Sequence, residues 1–177
     1  MRANALFLLI GTLLMSTPAR AEVVSADSGG FQIRSVLTIA APAEKVYAAL
    51  GEIDKWWSPA HTWSGNSANL HLSLQAGGCL CEKLDNGGSV QHMVVVYAAP
   101  GKELRLSGGL GPLQREAAVG TLTFSLTAKG AATEVVEVYN VGGYTKGGWT
   151  SWAPNVDEVL SQQLGRLKSY VEIGKPQ

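Results

Sequence analysis

A long amphipathic helix near the carboxyl end of the chain constrains the fold more than any other feature. Between residues 156 and 171 the apolar side chains recur every three or four positions, a spacing that puts them on one helical face. They are Val156, Val159, Leu160, Leu164, Leu167, Tyr170 and Val171. Residues 69–143 instead resemble strands joined by glycine-rich turns. Because such a helix must bury its apolar face against the strands, we expect an α+β domain with a pocket wherever the sheet curls around the helix.

The amino terminus has the pattern of a secretory leader. Arg2 is followed by an apolar run over residues 5–15 and by the small-x-small sequence Ala19-Arg20-Ala21. The apolar run is shorter than the roughly 20 residues that span a bilayer. A membrane anchor is the alternative interpretation. We expect a signal peptide over residues 1–21, cleaved after Ala21, and a periplasmic or secreted protein with no integral membrane segment after cleavage.

The remaining chain fits one domain of ordinary composition. We expect a flexible N-terminal arm over residues 22–30 and a single domain over residues 31–177. The full chain has 14 basic and 14 acidic residues, so its formal net charge is zero. Without a basic stripe, no nucleic-acid partner is expected. The sequence leaves open whether the protein is a monomer or a homodimer.

The predicted elements follow the order strand, two short helices, about six strands and a long helix. The first strand covers residues 31–40, and the short helices cover residues 42–50 and 53–58. Asp85-Asn86-Gly87-Gly88 predicts a tight turn between two strands, residues 78–84 and 90–97. The two longest strands, residues 117–128 and 133–141, immediately precede the loop that leads to the last helix.

This order, together with three sequence segments, resembles the START-like or SRPBCC superfamily. The segments are Ile39-Ala-Ala-Pro-Ala-Glu-Lys-Val-Tyr47, Trp56-Trp57-Ser58-Pro59 and Val156-Asp-Glu-Val-Leu160. The superfamily includes polyketide cyclase/dehydratase-like and Hsp90-ATPase-activator-like domains. The resemblance implies a helix-grip fold, in which a curved antiparallel sheet of about seven strands wraps around the C-terminal helix, with two short helices after strand 1. It also implies a largely apolar cavity, but not one function, because the superfamily includes carriers, enzymes and co-chaperones.

The tryptophans cluster outside the predicted strands, in the two segments that border the cavity mouth of a helix-grip fold. Indole rings suit a pocket for an aromatic or lipidic ligand. Alternatively, they cap one end of the core. The predicted ligand-binding residues are Trp56, Trp57, His61, Trp63, Trp149 and Trp152.

The two cysteines, Cys79 and Cys81, lie two apart in a predicted strand and share one face. If Asn86-Gly87 is a two-residue turn, Cys81 lies opposite His92, and the three side chains together could hold zinc or copper. A disulfide is the second alternative, although bridging such neighbours requires a β-bulge. The favoured interpretation is two small packed thiols, and no cofactor is then expected.

Acid–base chemistry has two candidate residues. Glu82 lies on the strand face opposite to Cys81 and would be a general acid or base if that face lines the cavity. His61 lies beside the tryptophan cluster. No nucleophile-elbow or zinc-protease motif accompanies them. The leading hypothesis is therefore an exported protein that holds an apolar or aromatic small molecule. The alternatives are a cyclase, dehydratase or hydrolase that uses Glu82 or His61, a protein-binding module, and a metal or redox site at the cysteines.

Overall fold

The computed structural model describes residues 20–177. That part of the chain forms eight β-strands and three α-helices. The strands are β1 (Arg20–Ala26), β2 (Gly30–Ile39), β3 (Leu70–Leu72), β4 (Cys79–Lys83), β5 (Ser89–Ala99), β6 (Glu103–Ser107), β7 (Ala117–Lys129) and β8 (Ala132–Tyr144). The helices are α1 (Ala43–Gly51), α2 (Ile53–Trp56) and α3 (Trp152–Ile173). Single 3-10 turns cover Pro59–His61, Ser67–Asn69, Asp85–Gly87 and Gly111–Arg115.

The strands form one antiparallel sheet in the order β1-β2-β8-β7-β6-β5-β4-β3. The short helices follow β2, and α3 packs on the inner face of the sheet, so the helix-grip prediction is confirmed. The sheet has one strand more than predicted. This is β1, which pairs with β2 over residues 20–26, where the sequence predicted a flexible arm from residue 22. The alternation there is weak because Val23 and Val24 are adjacent and the other side chains are small or polar, whereas backbone pairing to the edge of β2 requires no apolar pattern.

Helix α3 supplies the centre of the core. Leu160, Leu164, Leu167 and Val171 are buried, as their spacing predicted. The helix ends at Gly174, whose φ of 78° lies in the left-handed region and whose N–H donates to the Tyr170 carbonyl at 2.9 Å. Glycine adopts this conformation without the steric cost that a Cβ imposes.

The segment after α2 is fastened to α3 by two hydrogen bonds. The Arg166 Nε–H donates to the Trp56 carbonyl at 2.9 Å, and the Ser58 N–H donates to the Gln163 side-chain oxygen at 2.8 Å. Gln163 is itself buried. These bonds fix the backbone on both sides of Trp57 and thereby hold its indole ring beside the helix.

The predicted signal peptide, residues 1–21, lies outside the described residues except for its last two. Across residues 20–177, none of the helices combines the length and apolar character required to cross a bilayer.

Candidate ligand-binding cavity

A cavity of about 380 Å³ lies between α3 and the β3–β5 end of the sheet. This volume falls within the range of small-molecule sites. Its lining comes from α3 (Trp152, Asn155, Val156, Val159, Leu160), from strands (Leu70, Leu80, His92), from α2 and the following segment (Ile53, Trp57, Ala60, His61, Thr62, Trp63) and from the turn before β7 (Leu110, Gly111, Pro112, Leu113). Val156 and Val159 belong to the apolar face of α3 but are only half-buried, because that part of the face borders the cavity rather than the sheet.

Four of the six residues predicted to bind ligand lie in the cavity wall. They are Trp57, His61, Trp63 and Trp152. Trp57 is buried, and its Nε1–H donates to the His61 carbonyl at 2.9 Å, which orients the indole. His61 is exposed at the rim, where its Nε2 lies 3.1 Å from the Gln162 side-chain oxygen.

Trp56 and Trp149 are not among the residues that line the cavity. Trp56 is 2% exposed and donates to the Ala49 carbonyl at 2.8 Å. Trp149 is fully buried, donates to the Gly143 carbonyl at 3.1 Å and packs against Phe31. These two rings are buried in the core.

The β4–β5 hairpin departs from the predicted register, and the departure changes the direction of His92. Cys81 pairs with Gln91 rather than with His92, whereas Leu80 pairs with Met93, so His92 is an extra residue in β5. The turn is longer than two residues, since Leu84 N–H donates to the Gly88 carbonyl at 2.9 Å. A β-bulge of this kind re-aims a side chain. Both His92 and its neighbour Met93 are consequently buried on the inner face.

The two cysteines form a disulfide rather than the packed thiols that we favoured. Cys79 and Cys81 are bonded through sulfur, with their Cα atoms 5.4 Å apart. The β4–β5 ladder is irregular next to the bridge, between Leu80 and Cys81. The predicted metal triad does not form, because both thiols are used in the bridge and His92 faces the opposite side of the sheet. Within residues 20–177 no group of three or more metal-ligating side chains is arranged to hold an ion.

Glu82 is buried behind His92 and is saturated with hydrogen bonds. It is 1% exposed. Its Oε1 accepts the Ser64 N–H at 2.6 Å, and its Oε2 accepts the Trp63 N–H at 3.2 Å and lies 2.9 Å from His92 Nε2. Burial by itself raises the pKa of Glu82, but the hydrogen bonds from Ser64, His92 and Trp63 together outweigh it and lower the pKa. Glu82 is therefore held as a carboxylate that orients His92, and not as a proton donor.

His92 is the buried polar group of the cavity wall. Its side chain is 6% exposed, and Nδ1 is buried without a hydrogen-bond partner in the protein. Since Nε2 is engaged by Glu82, Nδ1 is the ring atom that is left without a partner. Sequence reasoning placed His92 on the wrong face. The sequence signal for the inward direction of His92 is the pair Glu82 and His92, two polar residues on neighbouring strands of the predicted hairpin. A β-bulge in β5 would have placed both on one face.

Tyr139 anchors the turn that borders the cavity. Its hydroxyl donates to the Gly108 carbonyl at 3.0 Å and accepts the Leu110 N–H at 3.0 Å. Burial raises the pKa of Tyr139 to about 12 against the opposing hydrogen bond from Leu110, so the hydroxyl remains protonated. The ring fits because Gly120 has no side chain, since a Cβ there would lie 2.4 Å from the Tyr139 ring.

Comparisons with known proteins agree with this architecture. The family described as "Polyketide cyclase / dehydrase and lipid transport" matches residues 31–172. The chain belongs to this family. No match was found among curated proteins.

Solved structures that are similar to this family member share its fold at low sequence identity. A conserved protein of unknown function from Enterococcus faecalis, EF2215, is 17% identical with a TM-score of 0.62, covering 90% of this chain and 80% of its own. CalU16 from Micromonospora echinospora is 13% identical with a TM-score of 0.57, covering 88% of each chain. An Aha1 protein from Colwellia psychrerythraea, solved as a dimer in solution, is 22% identical with a TM-score of 0.55, covering 81% of this chain and 98% of its own.

Proposed function

We propose that this protein binds an apolar or aromatic small molecule in the cavity between α3 and strands β3–β5. The observation that carries the proposal is a cavity of about 380 Å³ whose walls are mainly aliphatic and aromatic, with one buried imidazole among them. A family whose description includes lipid transport and polyketide cyclisation supports it. At about 25 cal/mol per Å², burying roughly 200 Å² of ligand surface contributes on the order of 5 kcal/mol to binding.

The test is to fill the cavity and measure the loss of binding. Val159 lines the cavity on α3, so Val159→Trp places an indole in the space that a ligand would occupy. Val96 is 51% exposed and is not part of the lining, so Val96→Trp adds the same side chain where it blocks nothing. A neutral fluorescent probe, N-phenylnaphthylamine, is titrated against each protein.

We expect the probe to bind wild type and Val96→Trp alike and to bind Val159→Trp at least tenfold more weakly. Circular dichroism and thermal melting check that both variants remain folded. The proposal is wrong if wild type does not bind the probe, or if a folded Val159→Trp binds it as well as wild type does.

We also propose that the protein is exported. The leader pattern of residues 1–21 supports this, and so does the Cys79–Cys81 disulfide, because disulfides persist mainly in oxidising compartments. Expression of the full chain in a Gram-negative host, followed by fractionation and intact mass measurement, tests it. A periplasmic product that begins at Glu22 is expected, and an uncleaved cytoplasmic product contradicts the proposal.

A second candidate function is acid–base catalysis by His92. The specific observation in its favour is the Glu82–His92 contact of 2.9 Å, since a buried carboxylate that orients an imidazole is a common arrangement of general bases. Glu82 is then a positioning residue, and His61 at the rim has no such partner among the contacts described above. Hydrolysis of naphthyl acetate, in which water attacks the ester and releases naphthol and acetate, tests this function. Equal rates for wild type and a folded His92→Gln variant would remove it.

A further inference from the structure

The hydrogen bonds that Glu82 accepts determine which ring nitrogen of His92 carries the proton. Oε1 and Oε2 each accept one backbone N–H, from Ser64 and Trp63. A carboxylate that accepts these bonds has no proton to give. The remaining contact, 2.9 Å between Oε2 and His92 Nε2, is therefore donated by the ring.

Nδ1 of His92 is consequently an acceptor. In a neutral imidazole one nitrogen donates and the other accepts, and Nε2 is the donor here. Nδ1 is buried and lacks a protein partner, although His92 lines the cavity. An unpaired buried polar atom destabilises the protein, and a partner on the ligand would remove that cost.

The other polar side chains of the cavity wall lie toward its opening. His61 and Asn155 are exposed, and Thr62 is half-buried. Each already has a protein partner, which is the Gln162 side-chain oxygen for His61, the Ser151 carbonyl for Asn155 and the Pro59 carbonyl for Thr62. Leu80 and Leu160, which line the cavity with His92, are buried and apolar. A ligand seated against these leucines therefore meets one acceptor in an apolar wall.

We infer that the ligand is an apolar molecule carrying a hydroxyl donor, such as a phenol or an alcohol, which donates its hydrogen bond to Nδ1 of His92. This inference rests on the proposed binding function and names its ligand class. A ketone, an ether or a hydrocarbon of the same shape fills the cavity but offers Nδ1 no hydrogen. The selectivity arises from Glu82, which sets the tautomer without touching the ligand.

Three matched ligands test the inference: naphthol, its methyl ether and naphthalene. Their affinities are measured by quenching of tryptophan fluorescence at pH 8. We expect wild type to bind naphthol about tenfold more tightly than the methyl ether, which corresponds to one recovered hydrogen bond. Naphthalene and the ether should bind with similar affinities.

Two variants assign the preference to the nitrogen. His92→Phe keeps a ring of similar shape without the acceptor, so the preference for naphthol should disappear while naphthalene affinity is retained. Glu82→Gln replaces the carboxylate with an amide that can either accept from or donate to His92 Nε2, so the proton is no longer fixed on Nε2. The preference for naphthol should therefore shrink, because a ring protonated at Nδ1 donates equally to the oxygen of naphthol and to that of its methyl ether.

The outcomes separate the inference from the function on which it rests. If wild type binds none of the three ligands, the proposed binding function fails. If it binds all three with equal affinity, binding stands and the hydroxyl inference is overturned. A folded His92→Phe variant that still prefers naphthol would also overturn it, because the preference would then arise elsewhere. Thermal melts establish that each variant is folded before its affinities are compared.

Discussion

Glu137 on β8 has a buried carboxyl group whose ionisation should control the pH dependence of folding. It lies on the inner face of the sheet, is 3% exposed, and its Oε2 has no hydrogen-bond partner. Burial, together with the negative charge of Asp157 on α3, raises the pKa of Glu137 to about 8. The pKa of Asp157 is raised as well, by burial and by the charge of Glu22.

The sign and size of the effect follow from proton linkage. An unfolded glutamate titrates near pH ~4.3, so between that value and about 8 the folded protein holds a proton that the unfolded chain has released. This stabilisation is complete below the unfolded pKa and is lost as pH rises through the folded pKa. At about 1.4 kcal/mol per pH unit, the loss between pH 5 and the folded pKa of about 8 is about 4 kcal/mol, and it changes little from there to pH 9.

Glu137→Gln isolates this contribution, because glutamine resembles the protonated acid and does not titrate. We expect the variant to match wild type in the free energy of unfolding at pH 5 and to exceed it by about 4 kcal/mol at pH 9. Equilibrium urea unfolding followed by tryptophan fluorescence, repeated at each pH unit from 5 to 9, measures the difference. Asp157 is present in both proteins, so its own titration largely cancels.

Glu158→Gln provides the control, because Glu158 is exposed on α3 near Asp157. Its difference from wild type should remain small and independent of pH. If the difference between wild type and Glu137→Gln is equally flat, Glu137 is not an un-ionised buried acid and the linkage argument is refuted.

Four further predictions follow from packing and covalent structure. Tyr139→Phe should lower the free energy of unfolding by about 1–3 kcal/mol in urea, since the hydroxyl loses one hydrogen bond to the Gly108 carbonyl and one from the Leu110 N–H, and should speed proteolysis in the turn before β7. Gly120→Ala should cost about 1–3 kcal/mol in the same assay, because the new methyl overlaps the Tyr139 ring. Leu164→Ala should cost about 2–5 kcal/mol by leaving a cavity under α3. Denatured but unreduced protein should incorporate no alkylating reagent at Cys79 or Cys81, and labelling of both would contradict the disulfide.

Much of the fold could be predicted because its signals are local. The apolar spacing from Val156 to Val171 indicates a helix regardless of which strands it packs against, and the structure has one over Trp152–Ile173. The strand predicted over residues 117–128 is β7, Ala117–Lys129. Strand β1 was missed because its pairing uses backbone groups, which the side-chain pattern does not reveal.

The cavity was harder to predict because an indole ring suits a core and a binding pocket equally well. Trp56 and Trp57 are adjacent and chemically identical, yet the cavity wall includes Trp57 and not Trp56. Glu137 could have been noticed, since it shares the inward face of β8 with Val135 and Tyr139. A charged residue in such a row is a signal of a perturbed buried group.

The sequence alone determined that this chain forms an antiparallel sheet with a long helix packed on it. The periodicity of apolar side chains involves only residues that are close together in the chain, so it can be recognised without the tertiary structure. Only the tertiary structure decided that His92 meets Glu82 and not the cysteines. One extra residue in β5 reverses the face to which a side chain points, and that register depends on how the β4–β5 turn closes. The chemistry of the cavity therefore depends on a shift of one residue, which periodicity does not resolve.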